Sequence, residues 1–200
     1  MSGTRIILWR HGNTDWNAEH RVQGQTDVPL NDLGRRQAAE AAAKLALLKP
    51  AALVSSDLQR AARTADALGD ILDVRPERDA RLRERGFGLW ETFTTPEIKE
   101  RFPVSRAKFE AADPDPGDGI ESLHDLGKRM SEVIREAAER HPGELSILTT
   151  HGGSIKYGSA YLLGIPEDLL HRFGPIGNCH WVELLFDEKH GWRLAAYNAS

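Results

Sequence analysis

The sequence predicts a layered α/β fold, and two observations carry this prediction. Three short apolar runs, Ile6–Trp9, Ala52–Val54 and Leu145–Leu148, alternate with longer segments of helical composition. Each run is too short for a helix and passes into polar or glycine-containing residues, which is typical of buried strands. Strands that alternate with helices in this way form a mainly parallel sheet with helices packed on its faces.

The two helices that follow the first strands have recognisable starts. Asn31 or Asp32 can cap the first, which runs through GRRQAAEAAAKLALL and is stopped by the proline beyond it. Asp57 is expected to cap the second, which extends through Leu68. Arg60 then lies in or near the first turn, where free backbone N–H groups add to its attraction for anions.

The segment from about residue 81 to 118 breaks the alternation. It contains the helix-like TPEIKERF, a second helix-like patch at Ser105–Ala112 and the turn-rich DPDPGDG. A run of this kind between strand–helix units is usually an insertion over the ligand end of the sheet, so we expect a lid. Glu121–His141 is predicted as a long amphipathic helix, and the carboxyl end as a hairpin with its turn at Lys189–Gly191.

Length and composition indicate one globular domain. A chain of 200 residues fits a single domain spanning 1–200. A formal net charge of −4 argues against a nucleic-acid partner, because such proteins present a basic surface. Cys179 is the only cysteine, and neither a signal peptide nor a run of ~20 apolar residues is present. We therefore expect a cytoplasmic protein without a membrane partner; a homodimer is left open.

The segment RHGNTDWN, from Arg10 to Asn17, combines residue types that hold and attack a phosphate. A neutral imidazole is a nucleophile, a guanidinium forks onto phosphate oxygens, and a glycine lets backbone N–H groups approach an anion. Taken alone, so short a motif favours a plain turn with a satisfied histidine and a surface arginine. The other two strands end in SSD and TTHGG, however, and open α/β sheets bind ligands at such strand ends.

Other common catalytic signatures are absent from the sequence. There is no GxxxxGK[ST] loop, no GxGxxG after a strand and no HExxH. A zinc site from one cysteine and dispersed histidines is unsupported, and the prolines of DPDPGDG do not fit a calcium loop. We therefore expect no metal and no cofactor.

The motifs together resemble a known family. RHGNTDWN with RVQGQTDVPLNDLGRRQA, then SSDLQRAARTA, LRERGFGLWE and TTHGGSIK match, in order and spacing, four blocks of the histidine phosphatase superfamily, also called phosphoglycerate mutase-like. The carboxyl end, GNCHW and WRLAAYNAS, is similar to actinobacterial phosphatases of the glucosyl-3-phosphoglycerate kind. The resemblance covers nearly the whole chain. It implies a three-layer sandwich with a mainly parallel central sheet and a lid insertion at about 81–118.

The resemblance also implies a reaction and a role for each matching residue. The expected activity is hydrolysis of a small phosphomonoester of the phosphorylated glycerate or sugar type, through a phosphohistidine. His11 would take the phosphoryl group. Arg10 and Arg60 would clamp the phosphate oxygens, Asn17 would donate another hydrogen bond, and His151 would stabilise transition-state charge.

Further contacts and the acid follow from the same resemblance. Gln23 and Gly24 lie where the family places substrate contacts, and Gly152 opens the helix whose start faces the anion. Glu84 matches the acid that protonates the leaving oxygen and then activates water. Glu91, seven residues on, stays open as a rival for that role.

Three functions remain to be weighed. Mutases of this family carry a tyrosine in the third block, a lysine beyond the acid and an arginine pair. This chain has Phe87 and Thr95 near the first two positions and no adjacent arginines between Thr92 and Glu121. Hydrolysis is therefore favoured, with a phosphoglycerate mutase as the alternative. A non-catalytic phospholigand-binding module is the third reading, since binding requires neither a nucleophile nor an acid.

Overall fold

A six-stranded sheet forms the centre of the computed structural model, which describes residues 3–200. The strands are β1 (Thr4–Arg10), β2 (Ala52–Ser55), β3 (Glu77–Arg78), β4 (Leu145–Thr150), β5 (Trp181–Asp187) and β6 (Gly191–Ala199). The strand order is β3-β2-β4-β1-β5-β6. The first four strands in this order run parallel, and the last two form an antiparallel hairpin added beside β1. The predicted α/β class with a mainly parallel sheet is confirmed.

Helices cover both faces of the sheet. Successive residues of a strand point to opposite faces, so β1 contributes to two cores. The helices are α1 (Asp15–Ala18), α2 (Asp32–Ala46), α3 (Gln59–Leu72), α4 (Thr95–Arg101), α5 (Pro103–Glu110), α6 (Leu123–Arg140) and α7 (Gly152–Leu162). Ile6 and Leu8 pack with α6 and α7 on one face, whereas Ile7 and Trp9 pack on the other face with α2 and α3.

One helix start was predicted correctly and the other was not. The side chain of Asn31 accepts a hydrogen bond from the backbone N–H of Gly34 at 2.9 Å, so it caps α2 as expected. The prediction for Asp57 is wrong, because the cap of α3 is Leu58, which makes no side-chain bond. The Asp57 carboxylate instead accepts a hydrogen bond from Arg83 Nε at 2.8 Å, and this ion pair competes with capping.

The later elements lie close to their predicted positions. The long amphipathic helix starts at Leu123, where Ser122 caps it by accepting from Asp125 N at 3.0 Å. The carboxyl-terminal hairpin turns through residues 188–190, one position before the prediction. No helix within residues 3–200 is both long enough and apolar enough to cross a bilayer.

The insertion, residues 81–118, contains α4 and α5 at the two places where helices were predicted. It has a small apolar cluster around Trp90 and Ile98, separate from the two cores of the sheet. A backbone bridge between Arg21 and Thr94 joins it to the loop that follows β1. The insertion is thus attached directly to the segment that carries the first sequence motif.

Helices α6 and α7 approach each other closely at Gly158. A Cβ atom added there would lie 2.6 Å from the Cβ of Met130, whose side chain is completely buried. Neither helix can move away without disturbing the core on this face of the sheet. The contact therefore fixes α7, whose first turn lies at the carboxyl end of β4.

We expect Gly158→Ala to lower the free energy of unfolding by about 1–3 kcal/mol, the usual cost of overpacking. Alanine is intrinsically better than glycine in a helix by about 1 kcal/mol, so a net loss means that the clash dominates. Urea denaturation measures the change. Gly174→Ala is the control, because nothing lies within 4 Å of its added Cβ; equal stability of the two variants would contradict the prediction.

Candidate active site

Polar side chains from three strand ends meet at one edge of the sheet. Because β1, β2 and β4 run parallel, the residues that follow them lie side by side. The backbone N–H of His11 donates to Thr150 O at 3.0 Å, and that of Ser56 donates to Thr149 O at 2.9 Å. The rings of His11 and His151 are thereby brought to 5.1 Å between centroids. The structure brings together the two histidines that the sequence analysis selected.

His11 is set up as a neutral nucleophile. Its Nδ1 lies 2.7 Å from the carbonyl oxygen of Gly12. A carbonyl can only accept, so Nδ1 carries the proton and the lone pair is on Nε2. Burial, reinforced by the charges of Arg60 and Arg10, holds the pKa of His11 well below its ordinary value of 6.5. The ring is therefore unprotonated at neutral pH, the form in which imidazole attacks.

Two arginines, Arg60 fully buried and Arg10 half-buried, supply the positive charge of the site. The side chain of Arg60 donates from Nη2 to Gly24 O at 2.7 Å and from Nη1 to Thr26 O at 2.8 Å. Arg10 donates from Nη1 to Ile176 O. Burial lowers the pKa of Arg60 to about 10, which leaves the guanidinium charged at neutral pH.

Three buried nitrogens at this edge lack hydrogen-bond partners within the described residues. They are Nε of Arg10, Nε of Arg60 and Nδ1 of His151. Buried polar atoms in proteins almost always have a partner, so a cluster of exceptions indicates the place of a ligand. Two of the three belong to cations. The ligand that fits them is an anion with several acceptor oxygens.

His151 lies at the amino-terminal end of α7, where it is the N-cap residue. Its Nε2 is 3.0 Å from the hydroxyl oxygen of Ser56. Burial, with the charge of Arg60 as the next cause, holds the pKa of His151 well below 6.5. Beside it, a Cβ atom at Gly152 would lie 3.3 Å from Arg10 Nε, so this helix start borders the arginine clamp.

The carboxylate of Glu84 rests on the first turn of α7. It accepts hydrogen bonds from the backbone N–H of Gly153 at 3.0 Å and of Ser154 at 2.9 Å, and from the Ser154 hydroxyl at 3.2 Å. Arg129 holds the preceding backbone, because it donates to Arg83 O at 2.6 Å and to Glu84 O at 3.0 Å. The candidate acid is thus fixed within one helical turn of His151.

Glu91 has different surroundings from Glu84. Its oxygens accept from the backbone N–H groups of Gln25 and Thr26, both at 2.9 Å, and from the Thr26 hydroxyl at 2.7 Å. Glu91 therefore stabilises the loop whose backbone carbonyls accept hydrogen bonds from Arg60. Thr92, which follows it, has a φ of +80°, a backbone conformation that glycine adopts more easily.

The remaining predicted contact residues are Asn17, Gln23 and Gly24, and two of them are hydrogen-bonded to residues of this site. Asn17 accepts from Thr14 N at 3.2 Å and from Asn178 Nδ2 at 3.3 Å through its amide oxygen, which leaves its NH₂ group to donate elsewhere. Gln23 is buried, and its Oε1 has no partner within residues 3–200. Gly24 has a φ of +51° and presents its carbonyl to Arg60.

Sequence reasoning missed four residues that hold this site. Ser56 and Ser154 stand in motifs that were recognised, but the sequence alone does not tell Ser56 from Ser55, whose hydroxyl donates to Ser56 O instead. Asn178 donates to His11 O at 3.1 Å and lies in the GNCHW segment, where its polarity was a usable signal. Arg129 gave no signal, because it is one of several charged residues on α6.

The site is rich in nitrogen donors and poor in metal ligands. Within residues 3–200, no group of three or more His, Cys, Asp or Glu side chains is arranged to hold a metal ion. The guanidinium groups offer the charge and the donors that a phosphate requires.

Comparison with known proteins agrees with this geometry. Residues 6–200 match the family model described as histidine phosphatase superfamily (branch 1). The glucosyl-3-phosphoglycerate phosphatase of Mycolicibacterium vanbaalenii is 37% identical, over 100% of this chain and 96% of that one. A metal-independent phosphoserine phosphatase of Arabidopsis thaliana is 36% identical over 76% of this chain and 66% of its own. A solved mycobacterial glucosyl-3-phosphoglycerate phosphatase in complex with VO3 superposes with a TM-score of 0.89, at 36% identity over 98% of this chain and 99% of that one.

We expect the two buried histidines to make the protein less stable in acid. Unfolded histidine titrates near 6.5, whereas folded His11 and His151 titrate well below it. Between these values the unfolded chain binds more protons, so the free energy of unfolding falls as pH drops below about 6.5. Each histidine adds up to about 1.4 kcal/mol per pH unit to the slope.

Urea denaturation in phosphate-free buffer from pH 7.5 to 4.5 measures this slope. The double variant His11→Asn and His151→Asn should have a shallower slope than the wild type, whatever its absolute stability. Substitution of the exposed His124 by Asn is the control and should keep the wild-type slope. An equally steep slope in the double variant would rule out the buried histidines as its origin.

Proposed function

The chain belongs to the histidine phosphatase superfamily (branch 1), and from that premise we propose that it hydrolyses small phosphorylated metabolites through a phosphohistidine on His11. It is a phosphatase, a hydrolase of phosphoric monoesters, as its relatives are by name. One observation supports the chemistry most directly. A neutral imidazole with a free Nε2 lies among buried cationic nitrogens that lack partners.

We propose that the first step is in-line attack of His11 Nε2 on phosphorus. The bond from phosphorus to the ester oxygen breaks as the bond to nitrogen forms. Arg10 and Arg60 hold the equatorial oxygens through the N–H groups that have no partner, with Asn17 and Gln23 at the edge of the same space. His151 faces the developing charge, and its link to Ser56 fixes the ring.

Glu84 is proposed to handle the proton. As an acid it gives its proton to the leaving oxygen, so that an alcohol departs. As a carboxylate it then takes a proton from the water that attacks the phosphohistidine, which releases inorganic phosphate and restores His11. Its place on the first turn of α7, one residue beyond Gly152, supports this assignment.

We favour hydrolysis over phosphoglycerate mutation. A mutase must exclude water from its phosphohistidine and hold a glycerate carboxylate, and this chain lacks the lysine and the arginine pair expected for that task. Phosphorylated glycerates and sugars are the proposed substrate class. The insertion, residues 81–118, is proposed as a lid on a single domain of 1–200. A cytoplasmic location and the absence of a nucleic-acid partner remain predictions, and a homodimer is left open.

Rapid quenching at alkaline pH should trap an acid-labile phosphoryl group on the wild-type protein. His11→Ala should abolish both this group and turnover, because it removes the imidazole that is proposed to take the phosphoryl group. Asn178→Ala serves as a comparison: it removes a contact of the His11 backbone and should slow labelling without preventing it. Unchanged turnover by His11→Ala would contradict the covalent mechanism.

Glu84→Gln should discriminate between substrates by their leaving groups. Alkyl phosphates need a proton on the departing oxygen, whereas a nitrophenolate leaves unaided. General acid catalysis is typically worth about 10²–10⁴-fold, so kcat/KM should fall by that factor more for alkyl than for nitrophenyl phosphate. Glu91→Gln should slow both classes alike, since Glu91 acts on the loop that holds Arg60. If only Glu91→Gln showed the leaving-group effect, the acid would be Glu91.

A further inference from the structure

A concave space lies near the candidate acid, Glu84. It is a cleft of about 420 Å³ between α5, the start of α6, α7 and the turn at Glu167–Arg172. Its walls include Phe109, Tyr157 and Leu170. Glu84 binds the N–H of Gly153, and Tyr157 is four residues further along α7, roughly 6 Å by the rise of a helix. Tyr157, on the wall of the cleft, therefore lies about one helical turn along α7 from the residue that binds the carboxylate of Glu84.

Arg85 lines this cleft and is 3% exposed. Its Nε donates to Glu121 O at 2.7 Å, and its guanidinium carbon lies 5.0 Å from the ring centroid of Phe109 and 5.9 Å from that of Tyr157. Among the described residues, no carboxylate oxygen lies within 4 Å of this guanidinium. The guanidinium of Arg85 can therefore form an ion pair with a carboxylate of a ligand.

Unlike Arg85, the neighbouring arginines have carboxylate partners. Arg81 pairs with Asp79, Arg83 pairs with Asp57, and Arg129 pairs with Glu121. A buried cation without an anionic partner is destabilising. The aromatic rings around Arg85 stabilise its charge only in part. Among these arginines, the one that is most buried is also the one that has no carboxylate.

We propose that this cleft binds the alcohol portion of the phosphomonoester and that Arg85 binds a carboxylate on it. The inference rests on the proposed function, since it concerns the same substrate. A guanidinium has a planar fork of N–H groups that matches a carboxylate, and Arg85 adjoins Glu84 in the chain. A substrate held at its carboxylate by Arg85 and at its phosphate by Arg60 would present its ester oxygen between them, toward Glu84.

The rim of the cleft restricts the ligand further. Glu110, Asp113, Glu167 and Asp168 line its outer part. These groups are exposed or half-buried, so water screens them, whereas the field of Arg85 acts in a drier interior. Carboxylates at the rim accept hydrogen bonds and repel a second anion. The ligand that fits carries one carboxylate inside and neutral donors, such as hydroxyl groups, outside.

The test uses two substrates that differ at one group. 3-Phosphoglycerate has a carboxylate where glycerol 3-phosphate has a hydroxymethyl group. Arg85→Met keeps much of the packing and removes the charge. We expect kcat/KM for 3-phosphoglycerate to fall about 10–100-fold, the usual loss for a charge-assisted hydrogen bond, with less than a 3-fold change for glycerol 3-phosphate. Arg85→Lys keeps the charge but not the fork and should give an intermediate loss on 3-phosphoglycerate only.

Arg101→Met is the matched control. Arg101 is also an arginine of the insertion stacked on an aromatic ring, 4.7 Å from the centroid of Phe93, but it lies outside the cleft. Its replacement should leave the ratio of the two kcat/KM values unchanged. If Arg85→Met lowered kcat/KM for 3-phosphoglycerate and for glycerol 3-phosphate equally, or lowered neither, Arg85 would only stabilise the insertion. The proposal would then be overturned.

Failure of this proposal can be told from failure of the proposed function. In one outcome, the wild type and Arg85→Met both hydrolyse nitrophenyl phosphate, and the ratio of kcat/KM for 3-phosphoglycerate to that for glycerol 3-phosphate is the same in both. That outcome would support the phosphatase activity and contradict the carboxylate subsite. If the wild type hydrolysed no phosphomonoester, the proposed function would be wrong. Calorimetric binding to His11→Ala still decides the subsite in that case: the preference for 3-phosphoglycerate over glycerol 3-phosphate should disappear when Arg85→Met is added.

Discussion

Two guanidinium charges held beside one imidazole, with Arg60 fully buried and Arg10 half-buried, are the constraint on which the rest of the site depends. Arg10 and Arg60 give up much of their hydration, and backbone carbonyls of Gly24, Thr26 and Ile176 replace only part of it. A buried, incompletely paired cation is destabilising. The rest of the fold must therefore hold the loops that supply these carbonyls. A bound phosphate would accept hydrogen bonds from the guanidinium nitrogens that lack partners within the described residues.

The same charges set the state of the nucleophile. Because burial and two neighbouring cations oppose protonation of His11, the ring stays neutral in the range where an exposed histidine would begin to charge. A phosphate dianion reverses the balance, since it neutralises the cations as it arrives. The site is thus organised for a negative ligand rather than for maximal stability, a common conflict in active sites.

The sequence predicts the parts of this arrangement that are local. Strand ends, helix starts and motif spacing place His11, Arg60 and His151 at one edge of the sheet, and the structure brings them together. Interactions between residues that are far apart in the chain cannot be predicted from such local patterns. Asp57 was expected to cap a helix because its neighbours in the chain allow it, yet Arg83, 26 residues away, takes its carboxylate. Arg129 supports the acid from a helix whose pattern shows only that one face is polar.

Two carboxylates seven residues apart show how one segment serves both halves of the site. Glu84 is fixed by the first turn of α7, beside His151, whereas Glu91 is fixed by the loop at Gln25 and Thr26 that in turn holds Arg60. The short stretch between them therefore connects the proposed acid to the phosphate clamp. A shift of this stretch would disturb proton transfer and phosphate binding together, so the position of the insertion constrains both steps of the proposed reaction.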